Sequence, residues 1–159
     1  MSLIETLNKL GNRINRWYPD VNHGGCCVYA SIVGEELRER GIEVRVIVAA
    51  WEAKKNIDKA RKSVNNIHQK NEWNAEDIYF NHVGIEFKYK GRTYHYDTDG
   101  VNPKSKMLGD FNVYPGRLSV DEAKVLADER EGWNDSFNRR SIPKLRKHIR
   151  SYLATVLPQ

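Results

Sequence analysis

Residues 24–46 read GGCCVYASIVGEELRERGIEVRV, and this stretch decides the fold because it holds one helix and one strand with clear boundaries. Two glycines precede Cys26, and apolar residues then recur at helical spacing. Gly41 stands where a glycine commonly ends a helix, and the β-branched residues after it alternate with polar ones. The stretch therefore predicts a helix over residues 26–40 that opens with a cysteine, followed by a strand over residues 42–48.

Further helices and a hairpin flank this stretch. Residues 2–17 carry apolar side chains at helical spacing. The alternating segments on either side of Lys90-Gly91 predict a β-hairpin with a tight turn at that pair. A capping box at residues 119–122 and a capping serine at Ser141 each predict a further helix. The order of elements predicts an α+β fold in which helices pack on a small antiparallel sheet.

The remaining segments are polar or irregular. Residues 52–77 hold many lysines and few apolar side chains, which predicts a solvated helix and a mobile loop, with a lid over a site as the alternative. Residues 101–118 are predicted to be an irregular connection. The last helix carries a basic run, for which a solvated face is the expectation and phosphate contact the alternative: Arg139, Arg140, Lys144, Arg146, Lys147 and Arg150.

Composition limits the class of protein. The chain has 159 residues, 40% of them hydrophobic and 30% charged, which suits one folded domain over residues 1–159. Its longest apolar run is far shorter than the ~20 residues of a membrane span, and no signal peptide is visible. We therefore expect a cytoplasmic protein with no membrane partner. Two adjacent cysteines exclude a disulfide scaffold, and the net charge of +5 permits an acidic partner without identifying one.

Cys26 is the first residue with chemistry to offer. A thiol at a helix N-terminus lies beside unpaired backbone N–H groups and the positive end of the helix dipole. These groups stabilise a thiolate and could also hold the oxyanion of a tetrahedral intermediate. Gly24 and Gly25 leave space in front of the sulfur, and the polar Asn22 and His23 just before them could donate to the oxyanion.

Both cysteines also have interpretations without catalysis. Cysteine is commonly a small core residue, and Cys27, which points about 100° around the helix from Cys26, is expected to pack in the core. A zinc site would require His23 and His82 together with both thiols. Adjacent helical thiols diverge, however, and no Cys-x-x-Cys spacing is present. No metal or other cofactor is therefore expected.

The predicted hairpin supplies a histidine beside two carboxylates. Strand alternation from the Lys90-Gly91 turn predicts one polar face that carries His82, Glu86, His95, Asp97 and Asp99. The register puts Asp99 directly opposite His82 and Asp97 on the diagonal, both within side-chain reach. A histidine oriented by a carboxylate can take and return the proton of a cysteine nucleophile, whereas a cross-strand surface ion pair would contribute little. The pattern alone leaves both interpretations open.

The same motifs resemble the transglutaminase-like cysteine enzymes, a papain-type superfamily. Gly24-Gly-Cys26-Cys-Val-Tyr-Ala30 and Gly41-Ile-Glu-Val-Arg-Val46 are similar to that family's Gly-Gln-Cys-Trp-Val-Phe-Ala helix and Gly-Ile-Pro-x-Arg-Val strand. The His82-Val-Gly-Ile-Glu86 segment and the Arg92-Thr-Tyr-His-Tyr-Asp97 segment are similar to its His-x-Trp-x-Glu and Trp-x-x-x-Asp-x-Thr strands. The resemblance covers residues 22–100, which leaves residues 119–157 as a C-terminal helical extension.

The resemblance implies a fold, a triad and a reaction. The fold is a papain-like core in which an N-terminal catalytic helix packs on the sheet. The triad is Cys26 as nucleophile, His82 as base and Asp97 as orienting carboxylate, with Asp99 as the alternative acid. The reaction is acyl transfer through a thioester on Cys26. Hydrolysis of a protein or peptide amide, as in a peptidase, amidase or deamidase, leads over cross-linking to an amine.

Three positions depart from the family pattern, and they bear on the substrate pocket more than on the triad. Gly25 stands for a glutamine, and Cys27 and Gly84 stand for tryptophans. The alternative function is a catalytically silent binding module of this fold, whose basic C-terminal helices contact protein or nucleic acid in a phage or other assembly. Nucleic acid is not the favoured partner, because the strand faces lack an evident platform for stacking bases.

Overall fold

The structure is a computed structural model that describes residues 1–22, 24–50, 52–70, 78, 80–109, 116–129 and 139–157. Over these residues the helices are α1 Leu3–Trp17, α2 Cys26–Glu39, α3 Ala53–His68, α4 Lys104–Leu108, α5 Val120–Glu129 and α6 Ile142–Val156. The strands are β1 Val44–Ala49, β2 His82–Tyr89, β3 Arg92–Asp97, β4 Gly100–Asn102 and β5 Gly116–Leu118. Short 3₁₀ turns cover Pro19–Asn22 and Arg139–Ser141. The predicted α+β class is confirmed.

The five strands form one antiparallel sheet in the order β4-β3-β2-β1-β5. β2 and β3 are the predicted hairpin, since Lys90 and Gly91 have φ values of 48° and 74°, which is typical of a tight hairpin turn. Ile85 pairs with Tyr96, as the predicted register requires. The expectation of an irregular connection over residues 101–118 is wrong, because β4, α4 and β5 lie in it. The two strands have three residues each, which is too few to show an alternation.

α2 lies at the centre of the molecule and is buried on most of its surface. It packs against β1, β2, α5 and α6, so the predicted C-terminal helices cover the cysteine helix. One carboxylate is buried with it: Glu36 is 1% exposed. The guanidinium groups of Arg40 and Arg150 lie 2.9 and 2.6 Å from its oxygens. Part of the basic run on α6 therefore compensates a buried charge.

Capping side chains fix two of the helix starts. The Ser2 hydroxyl accepts the Glu5 N–H at 3.2 Å, and the Ser119 hydroxyl accepts the Glu122 N–H at 3.1 Å, as the predicted capping box requires. Ser141 precedes α6 as predicted, but its side chain makes no capping hydrogen bond. The inner face of α6 is the predicted one and consists of Ile142, Leu145, Ile149 and Leu153.

The polar middle segment forms a helix with one buried face. α3 carries Ile57, Ala60 and Val64 in the core, so it is less solvated than its lysines indicate. The loop expected over residues 71–77 lies outside the described residues. Like the other helices of the described chain, α3 is not both long and apolar enough to cross a membrane.

Candidate active site

Cys26 is the first residue of α2, and its thiol is partly exposed. The first helical hydrogen bond runs from the Tyr29 N–H to the Gly25 carbonyl at 3.0 Å. The N–H groups of residues 26–28 have no intrahelical acceptor, because the residues four positions before them lie outside the helix. Cys26 therefore stands beside backbone donors that can stabilise negative charge on sulfur or on a substrate oxygen.

The loop before Cys26 requires glycine at one position. Gly24 has a φ of 96°, in the left-handed region that residues with a side chain avoid. Gly25 has ordinary values of φ −97° and ψ 0°, so its backbone does not demand glycine. The backbone of Asn22 ends the 3₁₀ turn, while His23 lies outside the described residues. Oxyanion donation by Asn22 or His23 therefore stays a prediction.

Cys27 is a core residue, as predicted. It is 1% exposed, and its sulfur lies 3.9 Å from the carbonyl oxygen of Ala123 on α5. Burial raises the pKa of the Cys27 thiol well above its ordinary value. The Cys26 thiol instead raises the pKa of His82, as described below, so the two thiols interact with different elements. The described residues contain no group of three or more histidine, cysteine, aspartate or glutamate side chains that could hold a metal ion.

His82 and Asp97 meet at one end of the sheet. His82 opens β2 and Asp97 closes β3, and in an antiparallel hairpin these two termini are neighbours. The Nε2 atom of His82 lies 2.6 Å from Oδ2 of Asp97, whose side chain is only 8% exposed. Asp99 is exposed and donates its backbone N–H to Oδ1 of Asp97 at 2.8 Å. Asp97, the aspartate on the diagonal, therefore contacts the His82 ring, and the backbone of Asp99 hydrogen bonds to the Asp97 carboxylate.

The charge state of His82 depends on both of its partners. Burial of the ring lowers the pKa of His82. The hydrogen bonds with Asp97 and with the Cys26 thiol raise this pKa by a larger amount, and the net result is a pKa of about 10. With Nε2 on Asp97, Nδ1 is the ring nitrogen left for the thiol. At neutral pH the His82 ring is therefore protonated and lies between a carboxylate and a sulfur. This is the arrangement in which an imidazolium stabilises a thiolate.

The N-terminal helix α1 clamps the turn that carries Asp97. The side chain of Asn15 donates to the Thr98 carbonyl at 2.8 Å, and the Val101 N–H donates to the side chain of Asn8 at 2.7 Å. Between these contacts the backbone of Gly11 comes so close that a Cβ there would lie 2.5 Å from the Thr98 carbonyl oxygen. α1 therefore fixes the backbone on both sides of Asp99, although the resemblance assigns no role to this helix.

A buried pair of tyrosines joins α2 to the strand of Asp97. Tyr29, one turn after Cys26, and Tyr96, next to Asp97, are both buried, and their hydroxyl groups are hydrogen bonded to each other. The Tyr96 hydroxyl also donates to the Leu7 carbonyl of α1 at 2.9 Å. Because Tyr96 donates to Leu7, Tyr29 must donate to Tyr96. This chain links the three elements that position the candidate triad.

Gly84, where the family pattern has tryptophan, lies under α4. A Cβ at Gly84 would lie 2.6 Å from the sulfur of Met107 and 2.9 Å from the Tyr96 carbonyl oxygen. Met107 and Leu108 form a small apolar cluster with Ile47 and Ala49 on this face of the sheet. In this chain α4 therefore occupies the volume that a side chain at position 84 would take.

A second histidine–carboxylate pair lies farther along the same strands. Nε2 of His95 is 2.9 Å from Glu86, and the Arg117 guanidinium donates to both Glu86 oxygens at 2.9 and 3.1 Å. The hydrogen bonds from Arg117 outweigh desolvation and, with His95, lower the pKa of Glu86 to about 2. Sequence patterns placed Glu86 and His95 on this face but missed Arg117, because β5 was not predicted. No described thiol contacts this pair.

Comparison of the chain with protein-family models, with curated proteins and with solved structures found no match.

Proposed function

We propose that the protein is a cysteine-dependent acyl-transfer enzyme of the transglutaminase-like, papain-type class, with Cys26, His82 and Asp97 as its triad. The observation that carries the proposal is the 2.6 Å contact between the His82 ring and the buried Asp97 carboxylate, with the Cys26 thiol at the start of α2 near enough to raise the pKa of His82. The charge state of His82 agrees with it, because a proton already on the ring leaves the sulfur nucleophilic.

The first half of the reaction forms a thioester. The Cys26 sulfur attacks the carbonyl carbon of an amide, and the carbonyl electrons move to oxygen. The backbone N–H groups at the start of α2 stabilise this oxyanion. The tetrahedral intermediate collapses with cleavage of the C–N bond, and His82 delivers its proton to the leaving amine. The acyl group then remains on Cys26.

The second half of the reaction releases the acyl group. Neutral His82 takes a proton from water as the water oxygen attacks the thioester carbon. The C–S bond then breaks, which releases a carboxylic acid and restores the Cys26 thiolate and the His82 imidazolium. An amine in place of water would give a new amide, which is a cross-link. Asp97 keeps the ring in one orientation and stabilises the imidazolium, which is present at rest and forms again in the second half. Hydrolysis of a protein or peptide amide is the leading form of this proposal, and it requires no cofactor.

Acylation by p-nitrophenyl acetate tests the proposal without knowledge of the natural substrate. We expect release of nitrophenol together with an acetyl thioester that peptide mapping locates on Cys26. His82→Ala should slow the acylation at neutral pH by about 100-fold or more, the usual effect of losing a positioned acid–base group. Adding methylamine during turnover distinguishes an enzyme that transfers to amines from one that transfers only to water.

The chain offers matched controls for both residues. His95→Ala removes a histidine from the other carboxylate pair on the same strands, and it should leave acylation at the wild-type rate. Cys27→Ala removes the neighbouring buried thiol and should likewise retain the thioester. Acetylation of Cys27, or equal effects of the two histidine substitutions, would contradict the proposed triad.

A further inference from the structure

A groove between the first and last helices lies apart from the candidate triad. It has a volume of about 490 Å³ and is formed by α1 on one side and by α6 on the other. Its polar and aromatic lining residues include Lys9, Arg13, Trp17, His148 and Tyr152. A volume of this size lies in the range that holds a small organic group, and no carboxylate is among the described residues that line it.

Several planar side chains lie close together along the groove. Trp17 is 52% exposed although its indole ring is large and apolar. Its ring centre lies 5.4 Å from that of His148, and the Arg13 guanidinium lies 5.8 Å from the Trp17 ring and 4.9 Å from that of Tyr152. The planar groups therefore occur as one cluster with an accessible indole, which is the composition of a stacking platform.

Cations border this platform. Lys9 and Arg13 lie one turn apart on α1, and both are exposed. On α6, Lys144 lies four residues before His148, and Lys147 lies four residues before Ser151. His148 and Ser151 both line the groove, so helical spacing places both lysines along the same side. These exposed lysines differ from Arg150, which lies on the buried carboxylate of α2.

One hydrogen bond orients the His148 ring, which lines the groove. Nδ1 of His148 lies 2.9 Å from the hydroxyl of Tyr18. A tyrosine hydroxyl that donates to Nδ1 leaves the proton of the neutral ring on Nε2. His148 can then donate to a phosphate or a base in the groove.

We propose that this α1–α6 groove binds single-stranded nucleic acid, with a base stacked on Trp17 and the flanking phosphates on the exposed lysines and Arg13. Single strands combine negative charge with flat faces, and the groove offers a partner for each. A duplex hides its base faces, and an acidic peptide offers charge without a base. The platform that the strand faces lack is therefore present between two helices. The inference does not depend on the acyl-transfer chemistry.

Fluorescence anisotropy with a labelled oligothymidine of about 15 nucleotides, a length within the range of single-strand sites, tests the proposal. We expect saturable binding at low salt. In a plot of the logarithm of the association constant against the logarithm of the salt concentration, the slope should be about −0.7 for each phosphate that is contacted. Trp17→Ala should weaken binding about tenfold without changing the slope, since stacking is lost and the cations remain. Trp17→Phe should retain most of the affinity. Circular dichroism of each variant is the control that it is folded.

Charge variants with matched controls separate a site from general attraction. Lys9→Gln and Lys144→Gln should each make the slope about 0.7 less negative. Lys54→Gln and Lys62→Gln remove exposed lysines from α3 and should leave the slope unchanged. Three results would overturn the proposal: no saturable binding at low salt, equal effects of groove and control substitutions, or equal competition by polyglutamate. The last result would identify an acidic protein surface as the partner.

Discussion

Gly11→Ala is the substitution that most directly tests how α1 supports the candidate triad. The added Cβ would lie 2.5 Å from the Thr98 carbonyl oxygen, and real Cβ contacts are essentially never below 3.0 Å. The helix and the turn must therefore separate by at least about 0.5 Å, the difference between these distances. Thr98 directly follows Asp97, whose carboxylate lies 2.6 Å from His82. Catalytic groups tolerate displacements of only about 0.5 Å.

Two magnitudes follow from this displacement. Overpacking of this kind lowers the free energy of unfolding by about 1–3 kcal/mol. The higher helix propensity of alanine offsets up to about 1 kcal/mol of this loss. Because a misplacement of about 1 Å can reduce a rate about 100-fold, we expect Gly11→Ala to slow acylation of Cys26 about tenfold. Urea unfolding and the p-nitrophenyl acetate assay measure the two effects on the same preparation.

Gly34→Ala is the matched control for this prediction. It is also a helical glycine, but its Cβ would meet a Val120 methyl group at 3.1 Å, and a side chain can move aside more easily than a backbone carbonyl. We expect Gly34→Ala to be more stable than Gly11→Ala by about 1–3 kcal/mol and to keep the wild-type acylation rate. Equal stability of the two variants, with Gly11→Ala acylated as fast as the wild type, would refute the reasoning.

Further substitutions test three interactions by urea unfolding. Tyr96→Phe leaves the buried Tyr29 hydroxyl without its acceptor and should cost about 1–3 kcal/mol, more than Tyr29→Phe; the reverse order would contradict the assigned donors. The pKa of Glu86 is lowered to about 2 from 4.5, so this carboxylate contributes stability above pH 4.5 that is lost as the pH falls through about 2. Glu86→Gln should weaken this acid dependence, and an unchanged profile would show that the ion pair is not stabilising. Glu36→Ala leaves a guanidinium beside α2 without its carboxylate partner and should lower the free energy of unfolding by about 3 kcal/mol. A loss below about 1 kcal/mol would mean that water satisfies that charge.

Local patterns predicted the parts of the fold that local rules control. The Lys90-Gly91 turn sets the register of the hairpin, and the capping box at Ser119 sets the start of α5, because each depends on residues a few positions apart. β4 and β5 could not be predicted in the same way. A strand of three residues shows no periodicity, and β5 exists because β1 is there to pair with it.

The candidate site likewise has parts that local sequence predicts and parts that depend on tertiary packing. The two short motifs around Cys26 and His82 lie on neighbouring elements, and alternation alone brings both Asp97 and Asp99 within reach of the ring. Register favoured Asp99, but the chain turns after β3, which leaves Asp99 exposed and Asp97 on the histidine. The clamp by α1 was not predictable, because Gly11 and its contact are more than eighty residues apart, and only tertiary packing joins them.

The pairing of Cys26 with His82 is best tested by the rate at which iodoacetamide alkylates Cys26, followed from about pH 5 to pH 9 by peptide mapping. We predict that Cys26 is alkylated at pH 7 faster than a free cysteine and faster than Cys27, because its sulfur lies beside the backbone N–H groups at the start of α2 and the imidazolium of His82. In His82→Ala the rate at pH 7 should fall to that of a free cysteine, whereas His95→Ala should match the wild type. If Cys26 reacts no faster than a free cysteine, or if both histidine variants retain the wild-type profile, Cys26 and His82 do not form a nucleophilic pair.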